Sequence, residues 1–250
     1  MIDSNKMDRD TVKYNFFNLE NIIFQKKKIY HPDCENISIK YKPLNYCKPN
    51  EMNFNTSWMT SPFGVKSYNN VKKKKYYIDL SFERRHKSIY IRQLYNIINK
   101  IDNYIPYLVE NNAIPLIKPN SLRDYTYVPN IKIIDDEPVI KLKIFPETVK
   151  IIKIDDDFPE ELSIPPGFKR NRRCDVPLEY IDDEYEVRAK IHCHSLWIMN
   201  KRYGITWIAK ELYIRKPSHR TDKMFIRKNM IKQLFHEDNN IGDRIYSKSI

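Results

Sequence analysis

Apolar and polar positions alternate with a period of two over Tyr76–Phe82. Tyr76, Ile78, Leu80 and Phe82 fall on one side, and Tyr77, Asp79 and Ser81 on the other. A strand sends successive side chains to opposite faces, so this segment reads as a half-buried strand. The same period runs through Val187–Cys193, where Val187, Ala189, Ile191 and Cys193 are apolar and Arg188, Lys190, His192 and His194 carry nitrogen. A turn at Asn200–Gly204 follows, and Gly204 is expected to supply the positive φ of a tight hairpin. Apolar residues at Ile91, Leu94, Ile98, Ile101 and Ile105 keep helical spacing, and Ser88 is placed to cap a helix running to about Tyr104. A second hairpin is expected from Ile131–Ile134 and Val139–Phe145, joined across Asp135–Pro138. Near the start, after apolar pieces at Phe16–Phe17, Leu19 and Ile22–Phe24, Gln25–Tyr30 and Ile37–Tyr41 read as strands, or as a short helix and a strand, punctuated by Pro32, Pro43 and Pro49.

These elements group into a polar tail at 1–14, one domain at 15–215 and a basic extension at 216–250. Ten of the 15 prolines lie in 105–180, which reads as a long elaborated insertion with the core sheet resuming near Tyr185. In the extension, Met224, Ile231, Leu234 and Phe235 mark the apolar stripe of a helix.

Composition narrows the class. The 250 residues are 41% hydrophobic and 13% aromatic, which suits a folded domain. Lys and Arg number 44 against 32 acidic residues, a net charge of +12 that favours a polyanionic partner. No apolar run reaches a membrane span, and the first ten residues lack a signal peptide's apolar core, so an intracellular protein with no membrane partner is expected. Cys34, Cys47, Cys174 and Cys193 show no C-x-x-C spacing and read as reduced thiols.

The chemistry that stands out is a basic-aromatic set. Its cations are Lys72, Lys73, Lys74, Lys75, Arg170, Arg172, Arg173, Arg188, Lys190, Lys201, Arg202, Lys210 and Arg215, with His192 and His194 beside them. Its rings are Trp58, Phe63, Tyr68, Tyr77, Tyr203, Trp207 and Tyr213. Single-stranded nucleic acid needs this combination of charge for phosphates and flat rings for bases. Arg188, Lys190, Lys201 and Arg202 are expected on phosphates, and Trp207 and Tyr203 on bases. Trp197 falls on the apolar side of its strand and is expected in the core; Trp207 shares a side with Glu211 and Arg215 and is expected outside.

Other chemistries are weaker. His31, Cys34 and Cys47, or His192 and His194, lack the paired spacing of a closed zinc site, so no metal is expected. The carboxylate clusters Asp135–Glu137, Asp155–Asp157 and Asp182–Glu184 sit in turn-like settings and read as solvated charge rather than a magnesium-dependent nuclease. There is no Walker loop, G-x-S-x-G elbow or H-E-x-x-H, and four glycines leave little for a phosphate loop. Neither a catalytic residue nor a cofactor is expected.

Thr56–Val65, the lysine-rich link and Tyr76–Phe82, with the helix after them, resemble the N-terminal core of the single-stranded DNA-binding proteins of large nucleocytoplasmic DNA viruses. Cys193–Trp207 is similar to that family's second hallmark. The resemblance spans about residues 50–110 and 185–215. It implies an OB-type barrel and a replication, recombination or repair role at a viral replication site, expected in the host cytoplasm, with the virion or the host nucleus as alternatives. Self-association on DNA is a further option. The closing residues, Asp243–Ile250, differ from the acidic tail of many single-strand binders. The expected fold is therefore mainly β, an OB-like five-stranded barrel with one amphipathic helix and the proline-rich insertion; a β-sandwich fits nearly as well. The expected function is largely sequence-independent binding of single-stranded DNA. Alternatives are an RNA- or duplex-DNA-binding factor, a basic viral core protein touching packaged genome, and the nuclease.

Overall fold

The computed structural model describes residues 11–26, 35–43, 46–70, 73–114, 117, 122, 124–153 and 176–216. Among them, thirteen strands join one mixed sheet and a single α-helix packs on it. The strands are β1 (Ile22–Lys26), β2 (Glu35–Tyr41), β3 (Asn50–Glu51), β4 (Asn53–Asn55), β5 (Met59–Thr60), β6 (Val65–Asn70), β7 (Lys73–Ser81), β8 (Thr126–Val128), β9 (Ile131–Ile134), β10 (Glu137–Ile144), β11 (Lys150–Lys153), β12 (Glu186–Met199) and β13 (Arg202–Arg215). The helix α1 is Ile89–Glu110. The principal order is β1-β2-β12-β13-β10-β7-β6, and this sheet is open rather than closed into a five-stranded barrel.

The long hairpin of β12 and β13 is the axis. On its outer edge β12 pairs antiparallel with β2, β4 and β5 in turn. On the opposite edge β13 pairs in parallel with β8, β10 and β11. The hairpin turns through Asn200 (φ 51°) and Lys201 (φ 55°), both left-handed, as a two-residue primed turn requires. Gly204 therefore does not supply the turn's positive φ. It is small for another reason: an added Cβ would lie 2.9 Å from the Trp197 ring. Asp135 and Asp136 make the matching turn between β9 and β10, at φ 50° and 63°.

Two register shifts break the ladder. Lys190 faces Glu211 but Ile191 faces Ala209, leaving Lys210 as the extra residue on β13. Cys193 faces Trp207 but Ser195 faces Thr206, leaving His194 extra on β12. Each bulge swaps the face to which later residues point. Hence Val187, Ala189, Ile191 and Cys193 are buried before His194, and Leu196 and Ile198 after it. Likewise Tyr203, Ile205 and Trp207 are buried before Lys210, and Leu212 and Ile214 after it.

The core forms between this apolar side and α1, whose Ile91, Leu94, Ile98, Ile101 and Ile105 are buried as their spacing predicts. The Ser88 hydroxyl accepts from the Ile91 amide at the N-cap. The helix continues through Pro106 to Glu110, past the expected stop near Tyr104, because Ile105 and Leu108 extend its buried stripe. Asp102 ties α1 to the β8–β9 connection by accepting from the Tyr127 hydroxyl at 2.7 Å and the Asn130 and Ile131 amides.

The stretch 105–180 contributes more than an appended insertion. Its β10 lies between β13 and β7 in the main sheet, and β8 and β11 complete the edge of β13. Thr11 bridges to Asn53, and Tyr14 stacks on Phe54 with ring centroids 6.1 Å apart, so residues 11–14 belong to the domain rather than to a tail. The extension expected at 216–250 lies, apart from Lys216, outside the described residues.

Gly64 sits at φ +59°, and an added Cβ would stand 2.5 Å from the Asp182 Cα and the Ile181 carbonyl oxygen. That contact secures β6, since the Val65 amide donates to the Ile181 carbonyl at 2.6 Å. Gly64→Ala is expected to lower stability by about 2–4 kcal/mol, from overpacking together with left-handed strain. Urea unfolding measures this; an unchanged midpoint would contradict the close approach.

Candidate nucleic-acid interface

The face of the sheet away from α1 carries two clusters of cations and rings. In the first, β7 pairs with β6 and β10 so that Tyr77 stands between Lys66 and Lys143, and Tyr68 stands opposite Lys75. All five project to one side, because paired residues share a face. The Tyr68 and Tyr77 rings meet edge to face at 5.7 Å. The Lys141 ammonium lies 5.5 Å from the Tyr77 ring and 6.0 Å from that of Tyr68, within cation–π range. Lys143 lies 4.7 Å from the Phe145 ring, and Lys66 sits 3.6 Å over Phe63. Tyr68 is 52% exposed. Burial, and then the charge of Lys75, hold the Lys143 ammonium below its ordinary pKa. An anion approaching this cluster would relieve that repulsion.

The second cluster is a ladder of alternating cations and rings. Arg215 lies 4.1 Å from the Trp58 ring; Arg188 lies 5.5 Å from the same ring and 4.7 Å from Tyr213. It is anchored by Glu186, which is 4% exposed and accepts from Arg215 at 2.8 and 3.0 Å and from Arg84. Burial opposes ionisation of Glu186, but the bonds from Arg215 and Arg84 outweigh it and hold the carboxyl below its ordinary range.

Between β3, β11, β12 and β13 opens a hollow of about 650 Å³, lined in part by Glu51, Lys150, Lys190, Lys210 and Glu211. Paired across the sheet with Asn53 of its lining is His192, 3% exposed, with Nδ1 3.4 Å from the Met52 carbonyl and its ring 5.4 Å from that of His194. Burial pushes His192 down to about 4, so the imidazole is neutral at pH 7.

The expected site residues thus divide. Tyr68, Lys75, Tyr77 and Phe63 join the first cluster, and Trp58, Arg188, Tyr213 and Arg215 the second. Lys190 and Lys210 line the hollow. Lys74 pairs with Glu179 at 3.0 Å. Lys201 and Arg202 are exposed at the hairpin turn. Lys72, Arg170, Arg172 and Arg173 lie outside the described residues, as does the side chain of Lys73. So do His31, Cys34 and Asp155–Asp157. Among the described residues, no three His, Cys, Asp or Glu side chains converge as metal ligands.

Trp207 and Tyr203 are corrected. Both are buried, at 2% and 4% exposure, and pack on Phe54 at 6.0 Å and Tyr127 at 5.2 Å. Trp197 is the half-buried one of the pair. The bulge at His194 reverses the side expected of Trp197; the bulge at Lys210 separates Trp207 from Glu211 and Arg215. Neither buried ring is placed to stack on a base. The residues sequence reasoning missed are Lys66, Lys141, Lys143 and Phe145. Their signal is the alternation Lys141-Leu142-Lys143-Ile144-Phe145 within the expected hairpin.

Two outcomes follow from burial. Trp207→Leu is expected to lower stability by roughly 1–3 kcal/mol in thermal unfolding, through lost packing against Phe54. His192 binds a proton more readily when unfolded, at its ordinary 6.5, than when folded, near 4. Its contribution to stability is therefore full above pH 6.5 and is lost as pH falls toward 4. His192→Gln should flatten the dependence of unfolding free energy on pH within that window, read from urea titrations across it.

Compared with known proteins, the chain matches no family model and no curated protein.

Proposed function

We propose that this protein is a non-enzymatic binder of single-stranded DNA with little sequence preference. The observation that carries the reading is the first cluster: an exposed tyrosine edge-on to a second, with Lys141 over both rings and Lys66, Lys75 and Lys143 around them. Rings of this kind stack on any base, and flexible ammoniums meet phosphates without reading sequence. A duplex hides its base faces and would leave the tyrosines unused. The net charge of +12 supports the same class of partner.

From the OB-type expectation the proposal keeps the strand platform. β6, β7 and β10 present the cluster as the strands of such a domain present their rings. The resemblance to viral single-strand binders supports a role in protecting DNA during viral replication, recombination or repair. Trp58 and its arginines form a second contact region on this reading, with Arg188 the cation facing Tyr213.

Fluorescence anisotropy with oligo-dT, oligo-U and duplex DNA at several salt concentrations tests the proposal. Oligo-dT should bind most tightly. Tyr68→Ala should weaken it by about 1–3 kcal/mol with the salt slope unchanged. Lys141→Ala should lower the slope of log affinity against log salt by about 0.7. Tight duplex binding with weak oligo-dT binding would overturn the reading, and a clear preference for oligo-U would move it to RNA.

A further inference from the structure

The hollow beside the hairpin axis has the makings of a second site. Glu211 on β13 stands opposite Lys150 on β11 at one side and Lys190 on β12 at the other. Three strands thus place an ammonium, a carboxylate and an ammonium in one cross-sheet row. Lys210 is the bulge residue between the two register segments, and bulges re-aim side chains beside functional sites. It approaches Glu51 at only 3.5 Å, with both side chains roughly 40% exposed, a contact easily exchanged. Glu211 accepts from the Tyr213 hydroxyl at 2.7 Å, which fixes its carboxylate.

The walls carry three ammoniums and two carboxylates, with the Asn50 amide among them. The charge favours an anion, yet the carboxylates would repel a bare one. A ligand that fits both must bring acceptors for the lysines and hydroxyl donors for the glutamates. A phosphorylated ribonucleoside does so: its phosphate meets ammoniums, and carboxylates accept from ribose hydroxyls. A hollow of about 650 Å³ is in the range of small-molecule sites and takes one nucleotide.

We infer that the hollow lined by Lys150, Lys190, Lys210, Glu51 and Glu211 binds a single ribonucleotide, holding its phosphate on the lysines and its ribose hydroxyls on the glutamates. The site lies apart from the Tyr68 cluster in the register of the sheet, and binding of a free nucleotide is read with no oligonucleotide present. Its failure would therefore leave the single-strand proposal standing, and the reverse.

Isothermal titration calorimetry on the full chain with AMP, dAMP, adenosine and inorganic phosphate tests this. AMP should bind at least tenfold more tightly than adenosine or phosphate, and severalfold more tightly than dAMP. Lys210→Ala and Lys150→Ala should each weaken AMP about tenfold, and Glu211→Gln should bring AMP down to the affinity of dAMP. Lys132→Ala, exposed on β9, should change nothing. Thermal unfolding of each variant separates lost binding from lost folding; Lys150 is exposed, so its removal leaves the core intact. Absence of AMP binding at millimolar concentration would overturn the site. Equal affinity for AMP and phosphate would reduce it to an anion site and overturn the nucleotide assignment.

Discussion

Backbone hydrogen bonding along β12 and β13 is the constraint on which the other strands depend. Most of the remaining strands are short; β3 and β5 have two residues each and β4 and β8 three. Such pieces cannot satisfy their own backbone groups and exist only where a longer strand offers an edge. The hairpin offers two edges of fourteen residues, and each is filled in succession by three partners. A ladder of that length twists, and one apolar side cannot face α1 from end to end. The bulges at His194 and Lys210 resolve this by re-aiming the strands midway. They also take His194 and Lys210 out of the alternation, setting His194 against the buried His192 and Lys210 in the wall of the hollow.

What was legible in the sequence was local. Tyr76–Phe82 alternates and is β7; Ser88 caps a helix whose stripe is buried; Ile131–Phe145 is a hairpin. These follow from period, cap and turn chemistry within a few residues. What was not legible depended on partners distant in the chain. Nothing near Lys141 announces that β10 will lie against both β7 and β13, so the hairpin alone does not single out Lys141 and Lys143. Pairing with β7 sets them beside Tyr68 and Tyr77.

Trp197 and Trp207 show the limit most sharply. Alternation carried across Cys193 sends Trp197 inward, and alternation carried back from Arg215 sends Trp207 outward. Each extrapolation crosses a bulge, and one unpaired residue inverts every assignment beyond it. Gly204 departs from its expected role for a related reason. Its smallness serves the Trp197 ring packed against it, while the left-handed backbone of the turn falls to Asn200 and Lys201.

A basic composition does not say which cations are available. Arg215 and Arg84 are already committed to a buried carboxylate, and replacing that carboxylate would leave two guanidiniums without their shared acceptor. Glu186 thus offsets one charge and fixes Arg215 in place, which makes the ladder rigid, while Arg188 rests on the Trp58 and Tyr213 rings. The lysines around Tyr68 differ. Lys141 and Lys143 lean on rings rather than carboxylates, and Lys75 and Lys143 repel each other across a partly dry surface. A ring screens a cation far less than a carboxylate does, so the field over β6, β7 and β10 stays positive where the tyrosines are open. Charge held on aromatic faces keeps its capacity to attract a polyanion, while charge spent on Glu186 holds the sheet together.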